Sequence, residues 1–532
     1  MSSNISDALQ NPSKVLSDLY QQHSSLPLHT FPATVTAHFT HIFQSQHALE
    51  QIPALDLHHP PESFPPRSLV AFNCMVQDTS LSQDLYLAVK PDGSCGGWGI
   101  EDNPALPVAD DKFDHANLRE ASVLWAVSIP GLSDWCHDAK AGAPAQPPVL
   151  HQPHKYPLLD VAHVGVQLKI YDENIAQPLR TTDLLSFVGI LTSEAISSNV
   201  IELSHPITVP TLHVLFATPI MRTIIPRSFP EPSILSDIDS LRTDLVDWIA
   251  EEGLAGDRLT AEWVLLSAIS RTRSRQPPIM PLSLTVTKFP SCPNDPNAVP
   301  ALYHVLSQIF PLVVTLPLAL DTLNQGAFYP VSKDEDLHSG FLQQPKGSLV
   351  LITEGAVTEG KVLEQGAKNF LSIQEMMKSQ TIDYVYPFSN FSFETDLNFL
   401  VTTEGKKSTF FKTDVNIPLR PTRSSGLVEE LYKPIQSIRL PPQEKISRFR
   451  QLIGGSKIGN SVLAESLSQH VEDDFVRERA TVKEETKQFS ADDLIIRMVV
   501  ARLVALSLHR AEVTIDIWER AKELEKQRET RS

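Results

Sequence analysis

Two short apolar runs in the second half of the chain indicate its largest predicted unit. Residues 347–353 (Gly-Ser-Leu-Val-Leu-Ile-Thr) and 397–403 (Leu-Asn-Phe-Leu-Val-Thr-Thr) are each about as long as one strand, and neither alternates cleanly between apolar and polar positions. Such runs are typical of strands buried on both faces of a parallel sheet. Residues 370–378 between them have helical spacing, so the segment predicts a strand–helix–strand unit. With a third apolar run at 282–287, it predicts an α/β core over residues 277–419.

Shorter apolar runs, separated by turn residues, fill much of the chain before this core. They predict six strands, at residues 68–76, 85–89, 120–129, 165–171, 184–191 and 211–216. A segment rich in Pro, Ala, Gln and His interrupts them and predicts a flexible loop near residues 137–160. Five or six strands with one interruption predict a small β-barrel of the OB kind over residues 56–225.

Helical periodicity marks both ends of the chain and the segment before the core. Residues 1–55 predict short helices, and residues 226–275 predict a helical lead-in in which Thr260 is the expected N-cap of one helix. Residues 420–532 predict further helices, one of which begins at Ser490 with a capping box in which Asp493 replaces the usual Glu. The predicted fold class is therefore multidomain α and β, with units at 1–55, 56–225, 226–419 and 420–532.

Composition narrows the classes of function. A chain of 532 residues predicts about three to four domains. The formal net charge is −18 and no cluster rich in Lys and Arg stands out, which argues against a protein whose main task is to grip nucleic acid. The four cysteines form no CxxC pair, which suggests neither a zinc site nor a disulfide framework and fits a reducing compartment. No apolar run reaches membrane-spanning length and no signal-peptide pattern is found, so we expect an intracellular, soluble protein.

The nearest approach to a nucleotide motif follows the strand predicted at 347–353. Residues 355–362 read Gly-Ala-Val-Thr-Glu-Gly-Lys-Val, which nearly matches the phosphate-binding pattern GxxxxGK[ST]. Val362 has no hydroxyl to hold magnesium, and Glu354 and Glu359 would repel a triphosphate. We therefore interpret the segment as a solvated turn punctuated by glycine.

Three other polar groups are interpreted as surface features. His38 and His41 lie three positions apart but have no acidic or cysteine partner nearby. Asp473 and Asp474 are interpreted as a solvated acidic face, and the basic run at 271–275 as a solvated helix end. The sequence accordingly predicts no catalytic residue, no cofactor-binding residue, no metal ligand and no cofactor.

The order of motifs along the chain is more specific than any single motif. Nine stretches carry it: SLVAFNCMVQD (68–78), VSIPGLSDW (127–135), VQLKIYD (166–172), LTAEWVLLSAIS (259–270), residues 282–293, residues 347–354, FLVTTEG (399–405), VEDDFV (471–476) and residues 490–506. In this order they resemble the minichromosome-maintenance (MCM) complex-binding protein family. The resemblance covers most of the chain and is weak over the first 55 residues and over 137–160.

The resemblance implies an OB-type domain followed by a degenerate AAA+-like core with a C-terminal helical lid. On that plan, residues 291–297 follow the first core strand but lack GK[ST]. Thr353-Glu354 occupy the place where an Asp-Glu pair normally holds magnesium. Thr403-Glu404 occupy the place where an Asn normally faces the γ-phosphate. Phosphoryl transfer then has no evident source of charge stabilisation. The residues therefore favour a non-catalytic scaffold rather than an enzyme.

The function implied by the resemblance is that of a nuclear protein that binds subunits of the replicative MCM helicase. It would support assembly, stability or unloading of that complex from chromatin during DNA replication and sister chromatid cohesion. Its association with chromatin would be indirect, and we expect no membrane contact and no direct nucleic-acid binding. Two alternatives stay open: a nucleotide-dependent ATPase with an atypical site using Lys361 or Lys406, and a single-strand binder acting through the barrel.

Overall fold

The computed structural model describes residues 2–24, 27–100, 115–136, 149–196, 208–220, 228–295, 297–357, 360–422, 426–481 and 490–531. Within these ranges the chain forms helices α1 to α15, which have the following bounds: Ser2–Gln10, Pro12–Gln22, Phe31–Ile42, Gln46–Leu49, Glu173–Ala176, Ile238–Gly253, Arg258–Ile269, Ala301–Ser307, Leu320–Gln325, Glu364–Ser379, Leu427–Leu431, Gln443–Ile458, Glu465–Thr481, Ala491–Ser507 and Ile515–Glu529. None of these described helices is both long and apolar enough to cross a membrane.

Strands β1 to β20 have the following bounds: Ala54–Leu55, Leu69–Asp78, Asp84–Leu87, Leu118–Ser128, Gly165–Ile170, Leu184–Ala195, Thr208–Pro219, Ser274–Arg275, Pro278–Ile279, Leu284–Thr287, Val313–Pro317, Val331–Lys333, Asp336–His338, Leu349–Thr353, Thr381–Tyr386, Ser389–Glu394, Asn398–Thr402, Val415–Pro418, Val462–Leu463 and Glu512–Val513. They form three larger sheets and two short two-stranded ones. The chain is therefore multidomain and mixed α and β.

The first sheet closes on itself. Strand β2 pairs with β6 on one side and with β4 on the other, so that five strands form a ring in the order β2, β6, β7, β5, β4. All pairs in the ring are antiparallel except β5 with β7, and β1 and β3 extend it at two edges. All six strands predicted from the sequence in this region are present. Closure leaves few unpaired edges, which is how small antiparallel structures avoid pairing with other chains.

The N-terminal helices cover one side of this ring. Phe31, Val35 and Phe39 on one face of α3 are buried together with Trp98 and Phe216 from the strand region. Helices α1 and α2 add Ala8, Leu16 and Leu19 to the same cluster. Helices α1 to α4 confirm the prediction of short helices within residues 1–55, and they share a hydrophobic core with the strands that follow.

The second sheet is wholly parallel, with strands in the order β11, β14, β17, β10, β18. Strands β14 and β17 pair from Leu349 with Asn398 to Thr353 with Thr402, and every residue of both strands is buried. This confirms the prediction of strands covered on both faces. Helix α10 lies between them in sequence, as predicted, but β15 and β16 are inserted after it.

Two insertions combine to form the third sheet. Strands β12 and β13 form one hairpin and β15 and β16 form another, and β12 meets β15 through Val331 and Val385. The resulting order is β13, β12, β15, β16, with β16 at an exposed edge. The sequence pattern did not predict any of these four strands.

The C-terminal helices pack against α6 and α7 beside the parallel sheet. Ser490 caps α14 and forms a capping box with Asp493, which confirms that prediction. The predicted N-cap Thr260 was wrong, because α7 begins at Arg258 and Asp257 caps it by accepting a hydrogen bond from the Thr260 backbone. An ion pair buried between the helices joins Arg242 of α6 to Glu262 of α7, with Nη2–Oε1 and Nη1–Oε2 distances of 2.6 and 3.1 Å. The Arg242 Nε also donates to Ser507 of α14 at 2.7 Å.

Buried polar contacts join the ring of strands to the third sheet. The Lys155 side chain is 0% exposed, and its Nζ lies 2.8 Å from Oδ2 of Asp78, which is equally buried. The Gln343 side chain donates to the Gln77 carbonyl at 2.8 Å and to the Tyr384 hydroxyl at 2.9 Å. Residues 137–148 of the loop predicted near 137–160 lie outside the described residues. Residues 149–160 differ from a flexible loop, because Lys155 anchors them in this junction.

Candidate functional site

The first candidate site is the edge of the parallel sheet where its strands end. In open α/β sheets, ligands bind outside the carboxyl ends of the strands. Three of the sequence candidates lie at this edge: the start of the segment 291–297 after β10, Glu354 after β14 and Glu404 after β17. The contacts among these groups determine whether phosphate or metal could bind there.

The segment after β10 is bonded to the chain that follows β17. The Phe289 backbone N–H donates to the Thr403 carbonyl at 2.9 Å. The Ser291 backbone N–H donates to Glu404 Oε1 at 2.8 Å, and the Ser291 hydroxyl donates to the same oxygen. These hydrogen bonds lower the pKa of Glu404. A carboxylate therefore binds the backbone at the position where a phosphate loop would need free N–H donors.

Glu354 at the end of β14 is also bonded to protein groups. Its carboxylate accepts hydrogen bonds from the Ser408 hydroxyl and from the Thr409 backbone N–H, the latter at 3.1 Å. The residue is only 8% exposed. Its oxygens are directed at these donors, so the magnesium-holding role of the usual Asp-Glu pair has no equivalent among the described contacts.

The structure describes residues 355–357 and 360–362 of the segment punctuated by glycine. These residues do not form a phosphate loop. A Cβ added to Gly355 would lie 2.7 Å from the Ser291 Cβ, so this glycine permits close packing between two loops. Asn324 fixes the other end, because it donates to the Lys361 carbonyl at 3.1 Å and accepts from the Leu363 N–H at 2.9 Å. Lys361 is exposed, as is Lys406.

The structure corrects two of the surface interpretations. Arg271, Arg273 and Arg275 are only partly exposed, and Arg275 donates to the carbonyls of Ser379, Gln380 and Thr395. Burial and the charges of Arg271 and Arg502 lower the pKa of Arg273 to about 10. The run is thus not a solvated helix end, because its side chains satisfy backbone carbonyls at the junction of two elements.

Asp474 is buried, whereas its neighbour Asp473 is exposed as predicted. The Asp474 Oδ2 accepts hydrogen bonds from Trp518 Nε1 at 3.0 Å and Lys522 Nζ at 2.7 Å. Burial opposes its ionisation, but these hydrogen bonds lower the pKa of Asp474. The interpretation of Asp474 as solvated was therefore wrong, because its hydrogen bonds connect α13 to α15.

His38 and His41 do not belong to any group of potential metal ligands within the described residues. Burial lowers the pKa of His38, and the charges of the nearby His23 and His41 lower it further. Two other groups bring together three such side chains: His154 with Asp336 and His338, and His470 with Asp474 and Glu519. The sequence analysis missed both groups, since each takes at least one member from a distant element. Two local signals were present: the Asp336-Leu-His338 spacing, which places two polar side chains on one face of a strand, and the four-residue spacing of His470 and Asp474 on α13.

The aromatic side chains of the strand ring are covered by other elements. Trp98 and Tyr171 are 2% and 6% exposed, and the Trp98 ring meets Phe31 of α3 in an edge-to-face contact. Lys169 on β5 is paired with Asp84 and Glu194. Burial opposes ionisation of Glu194, but hydrogen bonds from His213 and Lys169 lower its pKa to about 2. Neither the buried rings nor the paired Lys169 forms the basic, aromatic groove that single-strand binders use.

Comparisons with known proteins give a consistent result. A family model described as "Mini-chromosome maintenance replisome factor" matches residues 39–155 and 144–532. A Danio rerio protein named mini-chromosome maintenance complex-binding protein is 23% identical, and the match covers 99% of this chain and 98% of the relative. Proteins of the same name from Salmo salar and Arabidopsis thaliana are 28% and 22% identical, over 61% and 93% of this chain. The match spans about half (52%) of the Salmo salar protein and 92% of the Arabidopsis protein.

Proposed function

The chain belongs to the mini-chromosome maintenance replisome factor family, and we propose on that basis that it binds the MCM complex and does so without catalysing a reaction. The relatives from Danio rerio and Arabidopsis thaliana, matched over nearly their whole length, are named for binding this complex. We further propose that the protein acts in the nucleus during DNA replication and sister chromatid cohesion, where it supports assembly, stability or unloading of the complex.

One observation carries the non-catalytic part of the proposal. At the edge where an α/β protein binds its ligand, Ser291 bonds to Glu404, and Glu354 bonds to Ser408 and Thr409. Binding a triphosphate there would require breaking these contacts and placing phosphate beside two carboxylates. Among the described residues no lysine contacts these groups in compensation, and Lys361 and Lys406 are exposed on flanking loops.

We also propose that the five-stranded ring is an OB-like barrel and that the parallel sheet is an AAA+-like core with α12 to α15 as its helical lid. The closed ring with one parallel pair supports the first assignment. The wholly parallel sheet supports the second, because β10, β14 and β17 pair side by side and end at one edge, as the AAA+-like plan requires. A core of this shape without nucleotide could present a subunit-like surface to the helicase ring, compete with one subunit for its place and so open the ring.

The first experiment is co-purification of the full-length chain with separately expressed MCM subunits, read by size-exclusion chromatography and mass measurement. We expect a stable complex that lacks one subunit, because a competitor displaces the subunit that it replaces. A chain that binds no subunit would overturn the proposed function. Recovery of the chain beside an undisturbed full ring would overturn the displacement mechanism.

ATP turnover is measured on the same preparation, with an active MCM complex as the positive control. We expect no turnover and no shift of the melting temperature with Mg-ATP. Turnover that either Lys361→Ala or Lys406→Ala abolishes would instead establish an atypical ATPase. Oligonucleotide binding at several salt concentrations tests the barrel, and tight binding that weakens steeply with salt would contradict our interpretation of its surface.

A further inference from the structure

The junction between the strand ring and the third sheet carries a group of side chains that the proposed function does not use. His154 lies in a short 3₁₀ turn at Pro153–Lys155, and Asp336 and His338 lie on β13. The potential ligand atoms of the three side chains all lie within 4.8 Å of one another. All three residues are partly exposed, so an ion could reach them from solvent.

Backbone geometry holds these side chains on one side of the junction. Asp336 and His338 are two positions apart on a strand and therefore share a face, while Leu337 between them is buried on the other. The Ser339 backbone N–H donates to the His154 carbonyl at 2.8 Å, which ties the turn to the end of β13. His154 Nε2 lies 2.6 Å from Asp336 Oδ2, and the two histidine rings are 4.3 Å apart between centroids.

The positive charge near this group does not fully neutralise its carboxylates. Lys155 contacts the Asp336 Oδ1 and also pairs with Asp78, so two carboxylates share one ammonium group. Asp336 therefore has an outer partner on one oxygen while the other oxygen faces His154, the arrangement in which a second residue orients a metal-binding carboxylate. Within the described residues the His338 imidazole has no hydrogen-bond partner. An imidazole without a hydrogen-bond partner can bind a metal ion through a ring nitrogen.

In the second group, formed by His470, Asp474 and Glu519, the carboxylates are already paired with cationic side chains. Asp474 Oδ2 is bonded to Trp518 and Lys522, and its Oδ1 lies 3.1 Å from Arg477. Lys522 also donates to Glu519 at 3.3 Å. Cationic side chains of the protein already neutralise both carboxylates, so this group serves as the matched comparison.

We propose that His154, Asp336 and His338 bind one divalent transition-metal ion of the zinc class. Two imidazoles and one carboxylate suit zinc and disfavour magnesium or calcium, which prefer ligand sets made of oxygen. In a tetrahedral site with ligands about 2.0–2.1 Å from zinc, ligand atoms lie roughly 3.3 Å apart, so modest side-chain rotation closes the present arrangement. The ion takes the place of the hydrogen bond between His154 and Asp336 and cross-links the strand ring to the third sheet. This inference does not depend on the binding of MCM subunits.

The test uses the full-length chain without a histidine tag, stripped with a chelator, incubated with zinc and freed of excess metal by gel filtration. Plasma emission spectrometry should find about one zinc per chain, and His338→Ala should lower this at least fivefold. His470→Ala should retain the wild-type amount. Cobalt loading should give a spectrum without a thiolate charge-transfer band, because no cysteine belongs to the site.

Stability provides an independent readout. Zinc should raise the melting temperature of the wild type and of His470→Ala, and should leave that of His338→Ala unchanged. Without zinc, His338→Ala should melt like the wild type, because the side chain it removes is partly exposed and makes no hydrogen bond to the described residues. The proposal is overturned if the stripped chain retains no zinc, or if His338→Ala binds as much zinc as the wild type.

Discussion

The substitution Arg242→Met tests the ion pair buried between α6 and α7. It removes two hydrogen bonds to Glu262 and one to Ser507, while the methionine fills most of the vacated space. The Glu262 side chain is 10% exposed, and after the substitution it still has a cationic neighbour in Arg520, at 3.7 Å. Removing one partner of a buried pair typically costs about 3–5 kcal/mol, and the distant Arg520 places the expected loss near the lower end, about 3 kcal/mol.

The assay is native-state hydrogen exchange read on peptides from α6 and α7, because a multidomain chain does not unfold as one two-state unit. A loss of about 3 kcal/mol corresponds to roughly 100-fold faster exchange of amides protected by this pair. Arg258→Met is the matched control: Arg258 and Asp247 also join α7 to α6, at 3.1 Å, but their side chains are 61% and 48% exposed. An exposed pair contributes about 0–1 kcal/mol, so the control should accelerate exchange less than about fivefold.

A double variant separates the cost of an unpaired charge from the loss of packing. In Arg242→Met with Glu262→Met, no charge is left buried, so most of the protection should return. The reasoning is refuted if Arg242→Met exchanges no faster than Arg258→Met. It is also refuted if the double variant is as labile as the single one, since packing rather than charge would then dominate.

Three further predictions address other parts of the chain. The pKa of Glu194 is about 2 in the folded state, below its usual 4.5, so its ionised form stabilises the fold above about pH 4.5 and this stabilisation is lost toward pH 2. Glu194→Gln should therefore reduce the fall in melting temperature between pH 5 and pH 3. Parallel curves of melting temperature against pH for the variant and the wild type would contradict this. Gly355→Ala should lower the free energy of local unfolding around β14 by about 1–3 kcal/mol, because the added Cβ meets Ser291. Gly326→Ala has open space around the added Cβ and should not have this effect. Equal hydrogen-exchange rates of the β14 amides in the two variants would refute this packing argument. Phe388→Ser at the fully exposed hairpin tip should change stability by less than about 0.5 kcal/mol, so a large change in the urea midpoint would reveal an unrecognised contact.

Elements with a strong local signal could be predicted from the sequence. Strands β14 and β17 are rich in Leu, Val and Ile because both faces are covered, and the sequence shows this directly. The start of α14 was equally clear, since Ser490 and Asp493 satisfy each other across one turn. Such features depend on residues within a few positions of one another.

Elements that depend on distant partners could not be predicted in this way. Strand β16 is exposed along most of its length, so it carries no burial pattern, and it exists because β15 pairs with it. Strand β11 follows α8 after a short connection, and its apolar residues continue the pattern of the helix before it. In both cases tertiary pairing rather than local pattern decides the structure.

The candidate metal group illustrates the same limit for a site. His154 and Asp336 are separated by 182 positions, and the segment containing His154 is rich in proline without periodicity. The sequence could suggest that Asp336 and His338 share a strand face, but not which third ligand the fold brings to them. By contrast, the altered residues at the sheet edge could be recognised, because each follows directly after a strong strand signal.

The shared core of α3 and the strand ring has a consequence for synthesis of the chain. Phe43 stacks on Phe216 of β7, with ring centroids 6.0 Å apart. The ribosome adds about 5–20 residues per second, so Phe216 emerges roughly 10–35 s after Phe43. During that interval the apolar faces of α1 to α3 lack β7, which contributes Leu215 and Phe216 to their core in the finished fold. The nascent chain therefore exposes, until β7 is synthesised, a hydrophobic segment of a kind that chaperones bind.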